Sequence, residues 1–104
     1  MEANDVVLAV REGRSLEGQN MAGLNLSGQD LSKAQFKRAN LSGCDLRKAD
    51  LRGADLSGAN LIDADLRGAR LRGANLTDSM RFNARILKWG LKGAYITGPT
   101  AYKD

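Results

Sequence analysis

The sequence predicts an all-β solenoid, a backbone that coils in short extended pieces, and three observations carry that expectation. Every fifth residue from Leu16 to Leu76 is Leu, apart from Met21 and Phe36. From Ala34 to Ala74, the residue two before each of these is Ala, with Cys44 the one substitute. The position between the two is Asp or Asn in ten of thirteen units from Ser15 to Asn75. On an α-helix a five-residue step turns roughly 140° past a full turn, which would scatter the leucines to all sides. On one straight strand, side chains alternate, so an odd step would flip each successive leucine to the opposite face. A short extended piece followed by a bend of constant sense resolves both difficulties. Ala59 and Leu61 then point inward together, and the bend resets the phase for Ala64 and Leu66.

Taken from the start of the chain, residues 1–13 are expected to form an N-terminal cap. A solenoid exposes its terminal coils as open edges unless something covers them. Asn4 to Gly13 fits a short helix with Asn4 as N-cap and Gly13 just past its end. Val6, Val7 and Val10 would then lie on the first coil, although the β-branched run also suits a strand. Residues 14–78 are the regular coil. Its Leu side chains fill the axis, Ala lets the walls approach, and the outward Asp or Asn hydrogen-bonds nearby backbone. Gly43, Gly53, Gly58, Gly68 and Gly73 fall at the bends, where unusual backbone angles are tolerated.

Residues 79–104 are expected to be an irregular last coil, cap and tail. Arg takes the axial slot at position 81, where an unpaired buried guanidinium would cost several kcal/mol. The phase recovers in Ala84-Arg85-Ile86, Trp89-Gly90-Leu91 and Ala94-Tyr95-Ile96, but Trp89 is too large for the slot that Ala fills elsewhere. The tail follows Pro99.

The units AQFKR, ANLSG, CDLRK, ADLRG, ADLSG, ANLID, ADLRG, ARLRG and ANLTD run without interruption through residues 34–78. They resemble the pentapeptide repeat family, whose consensus is A(D/N)LXX. Looser units (QNMAG, LNLSG, QDLSK) extend the likeness back to about residue 19. The resemblance implies a right-handed quadrilateral parallel β-helix with one pentad per side and four per coil. Periodicity by itself implies only a regular coil.

Composition excludes much chemistry. There is no His and a single Cys, so Ser-His-Asp and Cys-His arrangements, His metal sites and thiolate clusters are ruled out. No phosphate-cradling Gly-rich motif occurs. Asp45, Asp50, Asp55 and Asp65 could be imagined as acid–base pairs, but they occupy the repeat's outward position and are better read as structural. Asp45, Asp50 and Asp65 are each followed two residues later by Arg47, Arg52 or Arg67, which places each pair on one outward side as an exposed ion pair. Cys44 sits in an Ala slot and is read as a small buried hydrophobe. No catalytic residue, cofactor or metal is expected, and the chain is not read as an enzyme. The acidic start lacks a signal-peptide pattern, and no apolar run approaches a membrane span. A cytoplasmic protein without membrane contact is the expectation, and the lone Cys fits a reducing compartment.

Charge is uneven along the chain. Residues 1–66 carry 8 Lys/Arg against 10 Asp/Glu, and residues 67–104 carry 8 against 2, which together give the net +4. Stacking at a period of twenty predicts a basic strip near the C-terminal end, with Arg67, Arg70, Arg72, Arg85, Lys88 and Lys92 as its candidates. An apolar strip is predicted beside it, and Ile62, Met80, Phe82, Leu87, Trp89 and Tyr95 are the candidate dimer or partner surface. The preferred functional reading is a scaffold or protein-interaction module, homodimeric through its C-terminal end, with an acidic protein as a further partner. The resemblance supports that reading, since similar proteins often dimerise there. Nucleic-acid binding through the basic portion is the alternative, with Trp89 or Tyr95 available for stacking. Some members of the family protect DNA gyrase by mimicking duplex DNA; this chain is basic and short, which argues against it.

Overall fold

The computed structural model describes residues 1–96; the expected tail after Pro99 and the aromatic Tyr102 lie outside the described residues. Backbone hydrogen bonding shows how the pentads stack. Leu51 N–H donates to the Arg70 carbonyl at 2.8 Å, and Asp50 N–H reaches down to the Gln29 carbonyl at 2.9 Å. The same pattern recurs from pentad to pentad, and every parallel bridge joins residues twenty apart, from Asn20–Asn40 to Asn75–Tyr95. Twenty residues at five per segment make four sides per coil. For clarity, side one carries residues 20, 40, 60 and 80; side two 25, 45, 65 and 85; side three 30, 50 and 70; side four 35, 55, 75 and 95.

Each corner is a tight turn. Ala54 N–H bonds the Leu51 carbonyl at 3.1 Å, and the intervening Gly53 has φ +71°, the signature of a type II turn. Positive φ recurs at every fifth residue from Gly13 to Asn83, is absent at Lys88 and returns at Gly93. Where the corner residue is not Gly, the next coil can accommodate it. Asn83 Nδ2 donates to Asp63 Oδ1 at 2.6 Å, one coil below.

The outward Asp or Asn has a specific task in this geometry. The amide two residues on lies in the turn and is not used by the ladder between coils. The side chain accepts it: Arg52 N–H donates to Asp50 Oδ1 at 3.1 Å, Ile62 N–H to Asn60 Oδ1 at 3.0 Å, and Thr77 N–H to Asn75 Oδ1 at 3.0 Å. This is why a polar residue recurs beside the leucine, since each one satisfies a donor that the fold leaves over.

Inside the square, Leu26, Leu31, Leu41, Leu46, Leu51, Leu56, Leu61 and Leu76 are fully buried, and Met21 and Phe36 fill the same slots. Cys44 is buried in its Ala position, with Sγ–H donating to the Met21 carbonyl at 3.0 Å, and burial pushes its thiol pKa up.

Helix α1 spans Ala3–Arg11 and places Val6 and Ala9 in the core, with Ala3 and Val10 packed against it. Its N-cap is Glu2, so the expected assignment of that role to Asn4 is corrected by two residues. Asp5 explains the difference: its Oδ2 accepts the Glu2 N–H at 2.8 Å, which fixes the helix start there. At the other end, Gly13 N–H bonds Val10 O and Arg14 N–H bonds Ala9 O, a Schellman motif that uses the positive φ of Gly13.

Near the C-terminal end the coil continues through Ile86, with Met80 and Arg85 still paired to Asn60 and Asp65. Arg81 does enter the axial slot and is only 4% exposed. It avoids the cost of an unpaired charge because its Nη1 donates to Ser79 Oγ at 2.9 Å and to Leu76 O at 3.4 Å. The chain then leaves the ladder over residues 87–92, touches it again at Gly93 and rejoins it at Tyr95. Trp89 stands where Gln29, Ala49 and Ala69 stand in the coils below, and its indole lies outside at 74% exposure.

Candidate functional site

The residues that remain outward and unabsorbed by the repeat gather at the C-terminal end, on different sides of the square. Ile62, Met80 and Phe82 share side one, with Met80 bridged to Asn60 and Phe82 one register step above Ile62. Leu87 continues side two, Trp89 marks the corner between sides two and three, and Tyr95 belongs to side four. The six candidate apolar residues therefore do not form one strip. Met80, Phe82, Leu87, Trp89 and Tyr95 instead ring the last coil, all of them exposed.

The six basic candidates also divide. Arg67 is taken up by Asp65, with Nη2–Oδ2 at 2.6 Å and Nε–Oδ1 at 2.9 Å. Equivalent two-pronged pairs join Arg47 to Asp45 and Arg52 to Asp50. These contacts hold the carboxyls of Asp50 and Asp65 at about 2, mainly through the guanidinium hydrogen bond. Arg85 lies above Asp65 on side two. Arg70, Arg72 and Lys92 cluster on side three, and Lys88 stands at its edge with Nζ 5.3 Å from the Trp89 ring centroid.

The ladder first fails at the end of side two, where Gly68 N–H lacks its expected Leu87 partner among the described residues, and it stays open onto side three. A groove of about 400 Å³ opens there, lined by Arg52, Ala69, Arg70, Leu71, Arg72, Trp89, Gly90 and Lys92. In the regular register, Leu71 N–H would bond residue 90, as Leu51 N–H bonds Arg70. Among the described residues no such bond forms, because the chain above has swung out to place Trp89 outside. Gly73 N–H, next along, is bonded to Gly93 O at 2.8 Å, one residue beyond the usual partner. A second donor is open for a different reason. Arg70 replaces the customary Asp or Asn, so the Arg72 N–H has no side-chain acceptor of the kind Asp50 provides for Arg52. Sequence reading registered Arg70 as a charge, and missed that the same substitution uncovers a backbone amide.

Among the described residues no group of three or more His, Cys, Asp or Glu is placed to hold a metal ion, and no helix is long and apolar enough to cross a membrane. The outward aspartates of the coil are each engaged with the backbone amide two residues on, and three of them with Arg.

Comparison with known proteins agrees with the coil. The family profile for pentapeptide repeats matches residues 15–47 and 39–78, in eight copies. A pentapeptide repeat protein of Nostoc Pcc 7120 is similar in structure, with a TM-score of 0.67 and 33% identity over 92% of this chain and 96% of that one. A pentapeptide repeat protein from the Arabidopsis thaliana thylakoid lumen gives a TM-score of 0.57 and 29% identity over 93% of this chain. The chain spans 63% of the length of that Arabidopsis protein. No curated protein matches.

Proposed function

The chain belongs to the pentapeptide repeat family, whose members are right-handed quadrilateral β-helices, and from that premise we propose that it is a non-enzymatic interaction module pairing with a second copy of itself through its C-terminal end. Members of this family are generally structural or interaction modules, and the outward residues here serve the fold in the way just described. The observation that carries the reading is the ring of exposed apolar side chains. Among the described residues, apart from Met1 and Leu8 at the opposite end, every exposed large apolar residue lies in the last coil. A solenoid end also presents an unpaired edge, and two identical edges are complementary by a two-fold axis.

Size sets the strength. The two shorter extents of the molecule, 23 and 22 Å, give an end of about 500 Å² per partner, near the lower bound for a specific interface. A dimer of modest affinity follows, with Met80 and the Phe82 ring as its anchors. Light scattering at tens of micromolar should report a dimer, and a variant carrying Met80→Glu and Phe82→Glu should report a monomer with an unchanged circular-dichroism spectrum. A native protein that is monomeric at that concentration contradicts the reading. An acidic protein is a suitable further partner for the basic C-terminal portion. The acidic-rod mechanism of duplex mimicry gains no support from a chain of net charge +4.

A further inference from the structure

The groove on side three combines features that the repeat elsewhere keeps apart. Two neighbouring backbone amides, Leu71 and Arg72, lack acceptors among the described residues, one because the coil above is displaced and the other because Arg70 replaces an acceptor. Arg52, Arg70, Arg72 and Lys92 line the same groove. Of these, Arg52 is engaged by Asp50, while Arg70, Arg72 and Lys92 have no ion pair among the described residues. Open amides beside surplus cations form an anion site, since the backbone supplies directed donors and the side chains supply charge. Arg70 is partly balanced by Asp50 beneath it, but with Arg72 and Lys92 the groove keeps more than one surplus positive charge, which suits a dianion better than a carboxylate. The exposed indole of Trp89 lines the same groove and offers a flat apolar surface for a ring.

We propose that this step in the coil binds one phosphate group carried on a planar ring, a mononucleotide in chemical class. The phosphate lies against the Leu71 and Arg72 amides between Arg70, Arg72 and Lys92, and the base lies on Trp89. A long nucleic acid fits less well. Lower on side three the outward column is Asp50 and Asp30, which would repel a polyanion running along the axis. Around the last coil, neighbouring side two presents Leu87 and Arg67 already paired with Asp65, with Arg85 as a further cation, and neighbouring side four presents the uncharged Tyr95. The charge is local to one step, and so is the ligand.

The test uses the full chain, titrated with adenosine monophosphate at low salt and followed by amide NMR and Trp89 fluorescence. The expected result is a saturable shift centred on the Leu71 and Arg72 amides, with quenching of the indole. Adenosine without phosphate should leave those amides unmoved, and inorganic phosphate should shift them without quenching. The decisive variant is Arg70→Asp. It installs the residue that the repeat itself uses, gives the Arg72 N–H its missing acceptor and reverses one charge, so the fold is preserved or strengthened. Affinity should fall by roughly tenfold or more, because a charge-assisted contact and a backbone donor are lost together. The oligomeric state should not change, which separates this proposal from self-association. No amide shift with the nucleotide, an equal shift in Arg70→Asp, or binding only of a DNA oligonucleotide would overturn it.

Discussion

Each side chain in the regular coil has one of three tasks, and the penalties for removing them differ in kind. Leu56 is fully buried among the rungs of the axis. Leu56→Ala should cost about 2–5 kcal/mol, since the square backbone is held by its own ladder and collapses little onto the gap; a urea denaturation series checks this. The outward aspartates act through charge. Asp50 and Asp65 titrate at about 2 in the folded chain, below the ordinary value of 3.8, chiefly because Arg52 and Arg67 bond their charged forms. A carboxyl depressed on folding stabilises the fold above its unfolded pKa, and that contribution is lost as pH falls through the folded value. The urea midpoint should therefore decline from about pH 4 down to about pH 2. Solvent screens both pairs, so the decline is small. In Arg52→Gln combined with Arg67→Gln, part of that slope should vanish; identical slopes would show that the pairs contribute nothing. Much of this was legible in the residues themselves, because the Asp–Arg spacing and the Leu beat are direct consequences of the coil. The role of Arg81 was not legible. Its solution depends on Ser79 Oγ and a carbonyl at Leu76, which only folding places within reach.

At the level of the pentad, the corner decides whether the next segment continues the square. Gly53 sits at φ +71° with only Lys33 Cγ near a prospective Cβ, at an uncrowded 3.6 Å. Gly53→Ala should destabilise by about 1 kcal/mol from backbone strain alone, measurable as a lower thermal midpoint. The broken segment tests the converse. Lys88 lacks the positive φ that every earlier corner has, and Trp89 cannot occupy an Ala slot. Replacing both, with Lys88→Gly and Trp89→Ala, should let residue 90 pair with Arg70. The Leu71 amide should then become protected against hydrogen exchange; an unchanged Leu71 would show that something else holds the segment out. The sequence marked this break through the size of Trp89, but it did not mark how far the regular ladder runs. That ladder extends to Ile86, and the departure is confined to residues 87–92. Helix α1 shows the same limit at finer scale. Gly13 was readable as a helix terminator, whereas Glu2 as N-cap depends on Asp5 reaching back to its amide.

For the molecule as a whole, function depends on where the repeat stops consuming its own surface. Over three coils, every large apolar residue except Ile62 faces the axis, and the outward Asp and Asn residues serve the turns. At the last coil this economy ends, leaving an apolar ring on the end and an open, cationic step on one side. The residues of both were visible in sequence as a C-terminal excess of aromatics and cations, but their partition was not. A period of twenty assigns columns, yet it does not show that Arg67 is already engaged, that Tyr95 faces away from Phe82, or that two amides at the step are open. The measurement that bears most directly on the account is amide hydrogen exchange along the axial leucines. Leu41, Leu46, Leu51, Leu56, Leu61 and Leu66 should exchange slowly, each bonded to the residue nineteen ahead, while Leu71 exchanges far faster than its neighbours. Uniform fast exchange, or a Leu71 as protected as Leu51, would contradict it.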